Sequence, residues 1–337
     1  MQNSIKLNHK GYDPLIDFIK AYAIICVILA HGMPREFFDV TLFRIWGGMQ
    51  VPLFVLVQVF HAYKKDTPPT LRFSKILRRI VIPFFLTQII FITLYYFVQW
   101  RFGLPDQFSM DGLVKTLQGG GKGPGSYYVW IYLQFAILLP FMFKLFLKLS
   151  PAKVCLFFIA LSVLIEFACS SFSMPEWLYR LSCLRYLFLV YLGWLWVRNG
   201  IVVSYKTILL SIISIAFVLF FSHSNLDLEP LFFNTDWKTH RWVCYFYVAS
   251  LLPFLLYLVF KICDSIELIK RLYSTIGSSS YEIYLMQMGV CMFASSIIGF
   301  FLGHPWYSLI LTIVLELVVS ILLGIGLNRF LKKTIYK

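Results

Sequence analysis

Charge is what this chain has least of: only 14% of its 337 residues are Asp, Glu, Lys or Arg, against 59% hydrophobic and 19% aromatic. That balance excludes a soluble domain of ordinary composition and leaves a polytopic membrane protein. Acids are the scarcer sign, 16 against 30 Lys and Arg, giving a net charge of +14. The basic residues flank apolar runs, where they set topology and meet anionic lipid of the bilayer, so no nucleic-acid partner is expected. No stretch rich in Pro, Ser or charge divides the chain, and residues 1–337 read as a single membrane domain with no appended soluble domain. No internal repeat is evident, which disfavours the inverted-repeat transporters. A short apolar core followed by a small-residue cleavage site is also missing, so the first helix is expected to serve as an uncleaved anchor.

Several reactive motifs are missing too. The seven cysteines lie in or at the ends of apolar segments with no CxxC pair, as small buried hydrophobes do. His31 has no second His or Cys three or four residues away, and His9, His61, His223, His240 and His304 are scattered, so no metal site is expected. GxSxG is absent, which argues against a serine hydrolase. The run GGGKGPG (119–125) has no Lys followed by Ser or Thr and follows no strand pattern, so it is expected to be a flexible turn rather than a phosphate loop.

What the chain does have is long apolar runs. Ten are long enough to span a bilayer, at about 15–33, 43–62, 77–100, 126–146, 152–172, 181–198, 204–222, 240–262, 279–302 and 306–330. The predicted fold is therefore all-α, a polytopic transmembrane bundle of ten helices. Lys64, Lys65, Arg72, Lys75, Arg78, Arg79, Lys144, Lys148, Lys153, Lys270 and Arg271 fall in the even-numbered loops, and the odd loops hold fewer. Both termini are accordingly expected in the cytoplasm. Two outward loops are long, residues 101–125 and 223–239, the latter carrying His223, Asp227, Glu229 and Asp236.

The first run, IDFIKAYAIICVILAHG, carries Asp17, Lys20 and His31. At about 100° per residue, eleven steps bring Lys20 and His31 to within roughly 20° of one another on one helix face, about 16 Å apart along the axis. Asp17 lies within roughly 60° of that face. Ionisable groups in lipid are expensive and face a bundle interior or a wet cavity, which marks this face as a functional track.

Lys75, Arg78 and Arg79 cluster ahead of the third run, as a lipid-facing anchor or a clamp for an anionic cofactor; Arg78, three residues from Lys75, is placed to share its face. His61, near the end of the second run, is expected to snorkel to the interface. Glu166, Arg185, Glu282 and Glu316 each need a partner or water within their runs. In the ninth, Ser278–Ser280, Tyr281, Glu282, Tyr284 and Gln287 serve equally as helix packing or as a site.

Taken in order, these blocks resemble the acyltransferase-3 family, membrane enzymes that O-acylate bacterial surface polysaccharides and related glycans. Lys20 and His31 match the spacing of its basic residue and histidine, VPLFVLVQVF is similar to its second-helix stretch, and LRRIVIP to its RxxRxxxP stretch. GSYYVWIYLQF, YLGWLW and GSSSYEIYLMQ resemble its later blocks. The chain departs from the family in having Lys20 where Arg is common, Gln58–Val59 for a Ser-Gly pair, and Gln287 where a histidine is frequent. The resemblance implies transfer of an acyl group, acetyl first among them, from acetyl-CoA to a sugar hydroxyl. It casts His31 as general base or transient acyl carrier, Lys20, Arg78 and Arg79 as holders of the phosphates of coenzyme A, and Asp17, Tyr281 and Gln287 in support. The implied partners are a glycan or lipid-linked saccharide and proteins of polysaccharide assembly, at the cell membrane. The alternatives are a transporter or flippase for an anionic or glycan substrate, using the same track as a path, and a non-catalytic assembly protein.

Overall fold

The computed structural model describes residues 3–65, 67–101, 110–224, 228–229, 231–236, 238–302 and 306–336; Asp227 and His304, considered above, lie outside them. The architecture is a helical bundle, α1 (Pro14–Gly32), α2 (Gln50–Tyr63), α3 (Ile82–Arg101), α4 (Tyr127–Lys148), α5 (Pro151–Ser171), α6 (Leu187–Asn199), α7 (Tyr205–His223), α8 (Leu251–Asp264), α9 (Glu267–Ser278), α10 (Ser280–Leu302) and α11 (Trp306–Thr334). Among the described residues, eight helical segments are long and apolar enough to cross a membrane. All ten expected runs are helical. The sixth falls short in length at 13 residues, because a 3-10 turn at Leu184–Tyr186 takes up its start.

Two other runs are bent where the sequence suggests continuous helices. The second divides into Phe43–Trp46 and α2 around Gly47 and Gly48, the residues with the greatest backbone freedom. The eighth breaks at Ser250, three residues ahead of Pro253, into Phe246–Ala249 and α8. A short antiparallel pair, β1 (Asn3–Ile5) with β2 (Ile201–Val203), ties the segment before α1 to the link between α6 and α7.

α1 is the central element. Its start is set locally: the Asp13 side chain accepts from the backbone of Leu15 and Ile16, and Pro14 occupies the first turn, where a missing N–H costs nothing. One side of α1, with Ile19, Ile24 and Ile28 wholly buried, packs against α2, α8, α10 and α11. The amphipathic α9 lies across its start, with Tyr273 edge-on to Phe18. Burial pushes the Tyr273 phenol up, with the adjoining Asp264 carboxylate acting the same way, so it stays protonated and donates to that carboxylate at 2.6 Å.

The α1–α9 crossing depends on Gly277, where an added Cβ would collide with the Asp17 carbonyl. Gly277→Val should therefore destabilise the protein by about 1–3 kcal/mol, seen as a lower thermal midpoint in detergent. Gly326→Ala, at a position with nothing within 4 Å of the new carbon, should leave the midpoint unchanged or slightly raised.

Candidate active site

A cavity of about 1590 Å³ opens along the polar face of α1. At one end it is walled by Lys20, Lys64, Lys65, Arg72, Lys75, Arg79 and Lys332, and this end is called the basic mouth below. At the other it meets Arg35, Arg180 and Lys238 together with Glu176 and Asp236. His31 lies on the wall and, although deep within the bundle, is solvent-accessible through the cavity. Lys20 is half-buried and paired with Asp17 at 2.5 Å, the i,i+3 contact that the helix permits. His61 also lines the cavity rather than snorkelling to an interface.

The glycine run is not a free turn. It re-enters beside His31 and is held by side chains from three helices. The Gln88 amide of α3 grips Lys122 twice, accepting from its N–H at 2.7 Å and donating to its carbonyl at 3.0 Å. From α4, Trp130 donates its indole N–H to the Gly120 carbonyl at 2.6 Å. From α10, Tyr284 donates to the Gly125 carbonyl at 2.6 Å, and Gln287 to that of Pro124 at 3.0 Å. Irregular backbone at this depth survives only if its polar groups are satisfied in this way. Gly125 has φ +83°, and a methyl group there would stand 3.4 Å from His31 Nε2 and 3.5 Å from the Tyr284 ring. That is ordinary van der Waals distance, so it is the left-handed backbone at Gly125, rather than lack of room, that calls for glycine beside the imidazole.

On the other side of His31, the α1 helix meets α11 at Gly32, against which the Glu316 carboxylate is packed without room for a Cβ. Glu316 is 2% exposed, and among the described residues its Oε2 has no hydrogen-bond partner. Cys291 donates to the Gln287 amide oxygen at 3.5 Å, so Gln287 joins α10 to the loop through one end and to its own next turn through the other. The remaining intramembrane acids find hydrogen-bond donors. Glu166 accepts from Tyr179 at 2.6 Å and from the Phe233 backbone at 3.0 Å, while Glu282 accepts from Tyr336 at 2.6 Å. Arg185 lies among tyrosine rings, 4.6 Å from that of Tyr186 and 5.5 Å from that of Tyr127.

Of the residues singled out from sequence, the structure brings His31, Lys20, Arg79 and Tyr281 onto one cavity wall, with Asp17 behind Lys20 and Gln287 behind the loop. Arg78 is exposed and is not part of the wall. The reason is a π-helical turn at Leu77–Val81: a turn closed i→i+5 holds more residues than an α turn, so it is Lys75 and Arg79, four apart, that share the cavity side. Tyr281 fastens this turn by donating to the Ile80 carbonyl at 2.7 Å. Gln88, Trp130 and Gly125 are not apparent as site residues in the sequence, whereas Tyr284 stands there among the residues that serve either as packing or as a site. The signal for Tyr284 is that Tyr281, Tyr284, Gln287 and Cys291 recur at helical spacing along one face of α10.

This arrangement, a membrane bundle with an accessible histidine and a cationic mouth on one cavity, defines a candidate enzyme site rather than helix glue. The acyltransferase domain profile matches residues 13–328, so the chain belongs to the acyltransferase-3 family and is a multi-pass membrane acyltransferase. No curated protein and no solved structure matches the chain.

Loop retention by Gln88 is open to test. Gln88→Ala removes both bonds to Lys122, and with each buried bond worth about 1–3 kcal/mol when one partner is left bare, tryptic cleavage after Lys122 should quicken roughly tenfold or more. Cleavage at the wild-type rate would mean that the loop is held without it.

Proposed function

We propose that the protein moves an acyl group, acetyl in the first instance, from acyl-coenzyme A to a sugar hydroxyl of a cell-surface glycan or exopolysaccharide, in the cell membrane. The observation that carries this reading is that Lys20 and His31 open from one face of α1 into one cavity whose ends lie on opposite sides of the bundle. The basic mouth lies on the side that loop charge assigns to the cytoplasm. Coenzyme A is a polyanion of that compartment, and a wall of seven Lys and Arg side chains against the carboxylate of Glu282 suits its phosphates.

In this reading Arg79, Lys75 and Lys20 receive the phosphates, Lys20 kept in place by Asp17. The thioester arm then lies along α1, whose separation of Lys20 from His31 is about 16 Å. The acceptor enters from the opposite end, where Trp177 and Phe38 offer flat surfaces for a sugar ring and Arg180, Lys238, Glu176 and Asp236 offer polar contacts. His31 takes the proton of the hydroxyl as its oxygen attacks the thioester carbonyl, and returns it to the departing thiolate; or it carries the acyl group between two such steps. Gly125 keeps the space over Nε2 clear of side chain, while Tyr284 and Gln287 hold Gly125 there.

Membranes carrying the wild type should transfer labelled acetyl from acetyl-coenzyme A into glycan, and His31→Ala should lower the rate by about 10²–10⁴. Equal incorporation by both would overturn the assignment, and movement of unchanged glycan across sealed vesicles without any thioester would favour a transporter. Arg79→Ala should raise KM for the acyl donor by about tenfold, the loss of one charge-assisted contact. Arg78→Ala should change it by less than about twofold, as for an exposed charge away from the wall.

A further inference from the structure

Glu282 is an unexpected residue to find at the basic mouth. It lies on the first turn of α10, is 5% exposed, and lines the cavity together with Arg79, Lys75 and Lys332. A buried carboxylate this close to cations ordinarily pairs with one of them. Among the described residues, however, Glu282 is in no salt bridge, and the bond it does make is with the Tyr336 hydroxyl at 2.6 Å. Burial pushes the Tyr336 phenol up, and the Glu282 carboxylate pushes it further, so the hydroxyl remains a donor. Tyr336 is fixed at its backbone as well, its N–H donating to the Leu331 carbonyl at 2.9 Å just past the end of α11. Over its ring, 5.4 Å from the centroid, sits the guanidinium of Arg79.

The order of these contacts has an electrostatic consequence. Had Glu282 met Arg79 directly, the carboxylate would have cancelled the charge that an anion needs and would have competed with it for the guanidinium N–H groups. With the phenol between them, the carboxylate is satisfied by a neutral donor, and the guanidinium is held by the ring face, which leaves its N–H edge available. Arg79 is exposed to the cavity and is in no salt bridge among the described residues. The π-helical turn that aims it is fastened from the same helix turn of α10, through Tyr281.

We infer that Tyr336 is a positioning residue of the acyl-donor site: anchored on Glu282, its ring holds the Arg79 guanidinium in the basic mouth, oriented toward the phosphates of the acyl donor. This rests on the coenzyme A reading above, and extends it to two residues, Tyr336 and Glu282, that act through Arg79 rather than on the ligand.

The test is a double-mutant cycle on the full-length protein in detergent, with coenzyme A binding and acetyl transfer from acetyl-coenzyme A measured for wild type, Tyr336→Ala, Tyr336→Phe, Arg79→Ala and the Tyr336→Ala/Arg79→Ala pair. Tyr336→Ala should weaken coenzyme A binding and raise KM for the acyl donor by about three- to tenfold, with kcat and the acceptor KM within about twofold. Tyr336→Phe keeps the ring but loses the anchor and leaves the Glu282 carboxylate without its donor, so it should recover only part of the loss. In the Arg79→Ala background the tyrosine change should cost nothing further. Additive losses, an equal fall in kcat, or an unchanged KM in Tyr336→Ala would each overturn the positioning role. The two readings separate cleanly: wild type that binds no coenzyme A overturns both, whereas binding that depends on Arg79 but not on Tyr336 overturns only this one.

Discussion

A lysine, an aspartate and a histidine on one face of a transmembrane helix cannot be left against hydrocarbon, and the rest of the bundle is arranged to answer that constraint. α1 is surrounded by other helices on its apolar side and opens to a cavity on its polar side. The cavity opens Lys20 and His31 to solvent, which makes them tolerable, and the same opening gives ligands a way in. The cost of the polar face and its use have one structural solution.

The second requirement is that backbone leaving a helix at depth must find partners, and glutamine side chains meet it twice. Gln88 clasps Lys122 in the glycine loop through both ends of its amide. Gln134 does the same at the break before α6, accepting from Cys183 N–H at 2.9 Å and donating to the Leu181 carbonyl at 2.7 Å. A neutral amide offers a donor and an acceptor at the spacing of a peptide group, without the desolvation cost of a charge. In this way both irregular segments are tied to the helices beside them.

How much of this is legible in the sequence depends on distance along the chain. The shared face of Lys20 and His31 follows from helical periodicity alone, and so do the spans, because both are properties of one continuous segment. The cationic cluster is legible as a cluster, but which arginine faces the cavity is not, since a π turn at Leu77–Val81 shifts the register by an amount that residue types do not reveal. The glycine run reads as a turn because its partners, Gln88, Trp130, Tyr284 and Gln287, sit on three other helices. Glu282 shows the limit most plainly: it is an evident problem in the sequence, but its solution, Tyr336, lies 54 positions away in a different element. The family pattern supplies the reaction class, which no single block of residues carries.

The small β1–β2 pair bears on how the site comes into being. Asn3 is matched with Val203, so the strand preceding α1 has no partner until more than half of the chain has been made and six apolar runs have left the ribosome. Until then α1 has its own cap at Asp13 and its packing on α2 to define where it enters the bundle. The helix that bears the imidazole is thus among the first parts of the chain to be made, while the strand that clasps the segment ahead of it comes from the middle of the protein.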